Sequence, residues 1–244
     1  MQLTHFKLCP RSRAARLILA ELGLEPDLVD TLPWALSRAH LNDDPSGRLP
    51  LLRRADGTLL CGFYALLEFV ADGQREGRDL DDLLGGTPAD DDVPARHVHL
   101  MPTDLDDRAE VRRLIEWFNE KCDREVTQEL TYEKVRVVLD RSCAAAPNVA
   151  MLKAARANLR YHLDYVSFIA DQRRWLAGEM FSAADLVAAA HISVIDYLNE
   201  IDWPRAPHVL AWYQRVKSRR SFQPLLVDRV PGLAPPSHYA ELDF

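Results

Sequence analysis

The hydrophobic period of this 244-residue chain changes once, near residue 100, and the change restricts it to two unlike bodies in series. Up to Ala71, short apolar stretches are punctuated by Pro and Gly. Gln2 to Leu8 places Leu3, Phe6 and Leu8 among polar neighbours and predicts a strand ended by Cys9-Pro10. Ser12 to Leu22 carries Ala15, Leu17, Ile18, Leu19 and Leu22 near one helical face, with Gly23 as a stop signal. Asp27 to Thr31 predicts a second strand. Leu49 to Arg53 and Thr58 to Cys61 flank Ala55-Asp56-Gly57, whose Asp-Gly marks a hairpin turn. Tyr64 to Ala71 closes the unit as a helix. The order is β-α-β, then β-β-α, within residues 1–72.

Asp72 to His99 holds Gly73, Gly77, Gly85-Gly86, Pro88, Pro94 and aspartates at 79, 81, 82, 90, 91 and 92. A stretch so polar buries little surface, so 73–101 is expected to be an acidic linker, either a mobile connection or a functional arm. From Pro102 the period is helical throughout, in Asp107 to Leu130, Met151 to Ile169, Ser182 to Leu198 and Val209 to Arg219. Residues 102–223 are therefore an all-helical domain. The tail, 224–244, contains Pro224, Pro231, Gly232, Pro235 and Pro236 and is expected to lack regular elements, ending at Leu242-Asp243-Phe244.

Composition narrows the function classes. A formal net charge of −7 opposes nonspecific nucleic-acid binding, which needs a basic footprint. No apolar run reaches the length of a membrane span, and Met1 to Phe6 lacks the order of a secretory signal. Cys9, Cys61, Cys122 and Cys143 are widely spaced, form no CxxC pair and suggest neither a metal site nor a disulfide framework. A cytoplasmic globular protein is expected.

Specific residues then carry a resemblance. The thioredoxin-like unit followed by a helical domain, with Gly47-Arg48-Leu49-Pro50 matching a Gly-x-Val-Pro signature, is similar to the cytosolic glutathione transferases over nearly the whole chain. In that family the proline peptide is cis. Gly178-Glu-Met-Phe-Ser182-Ala-Ala-Asp185 resembles the family's Gly-x-x-x-Ser/Thr-x-Ala-Asp segment, and Pro207-His-Val-Leu-Ala-Trp212 a further helix start. The Ser182/Asp185 spacing itself predicts a capping box, and Trp212 a core residue. The implied fold is an α/β thioredoxin-like N-terminal domain plus an all-α C-terminal domain.

A glutathione site needs partners for the γ-glutamyl carboxylate, backbone pairing for the cysteinyl unit and a hydroxyl or thiol near sulfur. Leu49-Pro50 retains the backbone part. Aligning Ala65-Leu66-Leu67-Glu68-Phe69 with the family's Ala-Ile-x-x-Tyr puts Gly62-Phe63 where an acidic residue and a serine would bind the carboxylate. Gly offers no side chain, and Phe neither donates nor accepts. Leu49, Pro50, Gly62 and Phe63 thus read as a vestigial glutathione site, with no cofactor expected and glutathione as the alternative. Cys9 or Ser12 could activate sulfur near a helix N-terminus; otherwise Cys9 is a half-buried small residue and Ser12 an N-cap. His191, in an apolar helix, is expected to be a core histidine. His97 and His99 lack spaced carboxylate partners.

Three features are available for binding. Trp34 is either a core anchor or an interface hot spot. Glu116 to Arg141 mixes Glu120, Arg124, Glu125, Glu133, Lys134, Arg136 and Arg141 on faces that are solvated or dock a partner. The tail packs back or inserts into a partner. With the lost Gly62-Phe63 pair, Glu116-Trp-Phe-Asn-Glu-Lys121, Glu125-Val-Thr127, Tyr132-Glu-Lys134 and the Pro-Pro…Tyr…Leu-Asp-Phe ending resemble the transferase-fold division proteins of the FtsZ-localized protein A type. That resemblance implies a noncatalytic homodimer that binds FtsZ filaments and regulates their organisation at the division site. Trp34, Glu120, Arg136 and Asp228 are the expected surface contributors, with Leu242, Asp243 and Phe244 from the tail. The alternative is a glutathione-dependent transferase or reductase using Cys9 or Ser12.

Overall fold

The computed structural model describes residues 1–85, 87–88, 99–140, 142 and 146–242. Strand β1 (Gln2–His5) is central because strands pair along both its edges, and it alternates buried Leu3 and His5 with more exposed Gln2 and Thr4. It pairs in parallel with β3 (Asp27–Asp30), Leu3 opposite Leu28, and antiparallel with β4 (Leu51–Arg53), Leu3 opposite Leu52. Strand β5 (Leu59–Cys61) completes the order β3-β1-β4-β5 through a hairpin whose Gly57 adopts φ 85°. Helix α1 (Pro10–Glu21) crosses between β1 and β2 (Leu24–Glu25), and α2 (Arg38–Asp43) precedes β4. Helix α3 (Phe63–Arg75) closes the first domain.

Several boundaries differ from the expected ones for local reasons. β1 stops at His5 because the Cys9 amide donates to Phe6 O, turning the chain. Pro10 at the first helical position starts α1 earlier, which places Ser12 inside the helix. Ser12 is accordingly not the N-cap; that position is Cys9, with no side-chain cap bond. Within 73–101, Asp79 caps a short helix α4 (Leu80–Leu84), ended by Gly85 at φ 66°. Arg54 Nε donates to Leu83 O at 2.6 Å, and the Met1 ammonium to Gly85 O at 3.1 Å. Strand β6 (Thr87–Pro88) pairs with β2. His97 and the aspartates at 90–92 lie outside the described residues.

The second domain begins with one long helical run. Helix α5 (Leu105–Glu116), capped by Asp104, continues as π-helix through Trp117–Thr127, then α6 (Gln128–Thr131), π-helix again at Tyr132–Arg136, and α7 (Val137–Leu139). Helix α8 (Val149–Gln172) lies against it. Helix α9 (Ala183–Tyr197) is buried along its whole length, and its five alanines let α1 and α5 approach closely. The Ser182/Asp185 capping box is present as predicted, and Asp185 also accepts from Leu176 N and from Trp212 Nε1 at 2.9 Å. Trp212, on α10 (Pro207–Lys217), is fully buried.

Contrary to expectation, the proline-rich tail is not devoid of helix. Short turns form at α11 (Gln223–Leu226) and at Ser237–Ala240. The tail packs back over the domain, with Tyr239 fully buried.

Candidate functional site

The β1–α1 loop of the first domain and the π-helical stretch of the second face each other across a cleft of about 470 Å³. On one side stand Phe6, Cys9, Arg11, Trp34, Arg48 and Leu49; on the other Asn119, Glu120, Asp123, Arg124, Tyr132 and Arg136. The Leu49–Pro50 peptide is cis, as the signature implied. Arg11 bridges the two sides. Its Nη1 lies 3.0 Å from Asp123 Oδ2 and 3.6 Å separates Nη2 from Glu120, while Nη2 donates to Asn119 O. Burial pushes the Asp123 carboxyl up, and Arg11 opposes that rise.

The π-helical wall is held from behind by His191. Its Nδ1 is 3.0 Å from Thr127 Oγ1 and its Nε2 3.2 Å from Asn119 Oδ1. Burial drives its pKa well down, so it is a neutral, hydrogen-bonded core histidine. Asn119 Nδ2, Thr131 Oγ1 and Trp34 Nε1 are buried without a hydrogen-bond partner. Trp34 meets Phe6 edge-on at 5.6 Å and is half-buried, so it is both an anchor and part of the cleft wall. Arg136 lies 4.9 Å over the Tyr132 ring with Nε 3.2 Å from Asp140.

The sulfur-activating candidates fare differently. Cys9 lines the cleft, but burial pushes its thiol pKa up, the opposite of what a helix N-terminus alone would produce. Ser12 is fully buried, its Oγ accepting the Phe6 amide at 3.3 Å, which makes it a structural hydroxyl. Gly62 and Phe63 are not on the cleft wall. Phe63 is 2 % exposed and packs in the first-domain core at the start of α3. Gly62 holds φ 84° and ψ 165°, a region open essentially to glycine alone.

The expected surface set divides. Trp34, Glu120 and Arg136 meet in the cleft. Asp228 does not belong with them: it is 7 % exposed and bound by Arg16, so it is an internal ion-pair partner and not a surface contact. Glu133 is likewise buried, accepting the Asn148 amide. Leu242 is 41 % exposed at the tail, away from the cleft lining, and Asp243, Phe244, Arg141 and Cys143 lie outside the described residues. Sequence reasoning missed Arg11, Arg48 and Asp123 as cleft residues. For Arg11 a signal existed, its place directly after Cys9-Pro10; for the π-helical wall none did. No group of metal-ligating side chains occurs among the described residues, and no described helix is long and apolar enough to cross a membrane.

Comparison with known proteins extends this geometry. Residues 8–72 match the glutathione S-transferase N-terminal domain. Over 245 aligned positions the chain is 38% identical to FtsZ-localized protein A of Caulobacter vibrioides (strain NA1000 / CB15N), covering 99% of this chain and 97% of that one. A glutathione S-transferase structure from Sinorhizobium meliloti 1021 superposes with TM-score 0.86 and 41% identity, covering 100% and 99% of the two chains. FzlA from C. crescentus superposes at 0.83 with 36% identity, covering both chains fully. Sequence, fold and the cis-proline cleft therefore agree that the chain belongs to the glutathione S-transferase superfamily, in the group of FtsZ-localized protein A.

Proposed function

We propose that the protein is a noncatalytic homodimer that binds FtsZ filaments and organises them at the division site in the cytoplasm. The observation that carries this reading is the likeness to FtsZ-localized protein A along 99% of the chain. The cleft supports it from the chemical side. Neither Gly62 nor Phe63 brings a polar side chain to the cleft for a γ-glutamyl carboxylate, and neither Cys9 nor Ser12 is poised as an ionised nucleophile. Exposed Glu120, Arg124 and Tyr132, with Arg136 and Trp34, instead offer a mixed polar and aromatic wall of the kind that dominates protein interfaces. Leu242, Asp243 and Phe244 are proposed to add to that surface.

The dimer proposal draws support from a separate face. Trp117, Tyr161 and Tyr165 stack along α8, with Lys121 over two of the rings and Phe168 exposed nearby on the same helix. Tyr161 and Phe168 are exposed on this strip while Trp117 and Tyr165 anchor it to the core, which suits burial against a second copy, and two-fold symmetry then presents two filament sites per particle.

Co-pelleting with FtsZ polymers tests the proposal. The double variant Trp34→Ala, Arg136→Glu is expected to lose pelleting; unchanged pelleting removes the cleft from the interface. Millimolar glutathione is expected to leave the thermal midpoint where it is. A rise that follows ligand concentration would establish the glutathione-dependent alternative.

A further inference from the structure

Far along the chain from the cleft residues, the loop between α8 and α9 folds into a rigid ledge. Trp175 N donates to Gly178 O at 2.9 Å and Gly178 N to Trp175 O at 3.0 Å, closing a tight turn with Gly178 at φ 139°. Trp175 and Phe181 pack edge to face at 4.9 Å behind that turn. Two residues past the turn, and directly before Phe181, Met180 is 75 % exposed. A thioether held out just past this turn contributes nothing to the core and is available to a surface.

Arginines from α10 and the residues just after it lie against the two rings of this loop. Arg215 sits 5.6 Å over the Trp175 ring and donates to Arg174 O at 2.8 Å. Arg219 lies 3.9 Å over Phe181 but is neutralised by Glu21, which it grips through two 2.6 Å bonds. Arg174, Arg215 and Arg220 are exposed and have no carboxylate within ion-pair distance among the described residues. Glu179 is the one acid on the ledge itself. In a chain of net charge −7, three arginines without a carboxylate partner, on or next to the residues that hold this loop, are a local inversion of sign.

We propose that this ledge docks the protein peripherally on an anionic lipid surface, the arginines binding headgroup phosphates and Met180 entering the acyl boundary. Guanidinium groups match phosphate oxygens in pairs, and an exposed apolar side chain among cations is the arrangement that an interface of charged headgroups over hydrocarbon accommodates. Single-stranded nucleic acid fits poorly, because base stacking needs free aromatic faces and Arg215 and Arg219 already cover the Trp175 and Phe181 rings. The ledge shares no residue with the cleft or with the aromatic strip on α8, so occupancy there leaves both open.

The test uses the full-length chain and sedimentation with vesicles at low salt. Pelleting is expected with phosphatidylglycerol–phosphatidylcholine vesicles and not with phosphatidylcholine alone, and it should fall steeply with added salt. The double variant Arg174→Glu, Arg220→Glu spares the Arg215–Trp175 contact and is expected to weaken binding at least about tenfold, with unchanged circular dichroism. Met180→Asp should weaken it severalfold, whereas Arg136→Glu in the cleft should not. Equal pelleting with both vesicle types, or unaltered binding by the double variant and Met180→Asp, overturns the proposal. Loss of FtsZ co-pelleting by the double variant with vesicle binding intact would also overturn it, and assign the ledge to an acidic protein partner.

Discussion

Arg16 Nη1 lies 2.7 Å from Asp228 Oδ2, a pair joining the first helix of the chain to its tail with both side chains under a tenth exposed. Arg16 Nη2 reaches Asp228 Oδ1 at 3.2 Å, so the contact is bidentate, and Arg13 Nη2 stands 4.0 Å from the same carboxylate. Removing the carboxylate leaves two buried guanidinium groups without their counter-charge. Asp228→Ala is expected to cost about 3–5 kcal/mol, read as a lower urea midpoint. A variant as stable as the wild type would mean that the pair is not structural.

Acid should expose the buried histidines. Burial first, and Arg16 second, lower the His5 pKa to about 4, and burial holds His191 well below its usual range. Between about pH 6.5 and 4 the unfolded chain takes up protons that folded His5 refuses, so stability falls as pH falls through that window. His5 faces Arg16, Lys7, Asp30 and Asp228, which partly offset one another. Asp185 and Asp196, pushed upward by burial, act in the opposite direction. The comparison is therefore with His5→Gln, whose unfolding free energy should drop less between pH 7 and pH 4.5, by on the order of 2 kcal/mol. Parallel pH profiles would refute this.

Gly62→Ala isolates backbone strain. A Cβ there meets no atom within 4 Å, so crowding contributes nothing. The φ 84°, ψ 165° conformation alone should cost about 1–3 kcal/mol. Chemical denaturation measures it; a neutral substitution would show that the α3 start relaxes freely.

Asp185 binds the amides of Leu176 and Ser182 and the Trp212 indole. Asp185→Ala leaves these donors buried and unpaired, at a cost of roughly 3 kcal/mol, with a change in tryptophan emission because Trp212 loses its acceptor. Asp185→Asn should recover part of the loss. Equal stability of the alanine variant would remove the capping box as a folding determinant.

What could be read beforehand depended on how far apart in sequence the deciding atoms lie. The period change, the Asp-Gly turn and the Ser182/Asp185 box are local, and each appears where its spacing placed it. Leu49-Pro50 was equally legible as a short signature. Asp228 was not, because an aspartate after a helix looks solvated until Arg16, 212 residues away, is brought against it. Ser12 was misplaced because Pro10 advances the helix start by two residues. The π-helical wall has no compositional mark, since its Trp-Phe-Asn-Glu-Lys run suits an α-helix just as well. What distinguishes it in the fold is its contact with a distant helix, through the bonds of His191 on α9 to Thr127 and Asn119.

Arg13 has a consequence for synthesis. Its Nη1 donates to Ser193 Oγ and to Tyr239 OH, partners that follow it by 180 and 226 residues. The thioredoxin-like unit can fold on the ribosome long before either partner emerges, with the guanidinium still in water. Only when Tyr239 has been released can that charge be sealed inside. The joint between the two domains therefore cannot be completed before Tyr239 emerges, and a nascent chain stalled before Tyr239 would carry both domains without the bolt that fastens them.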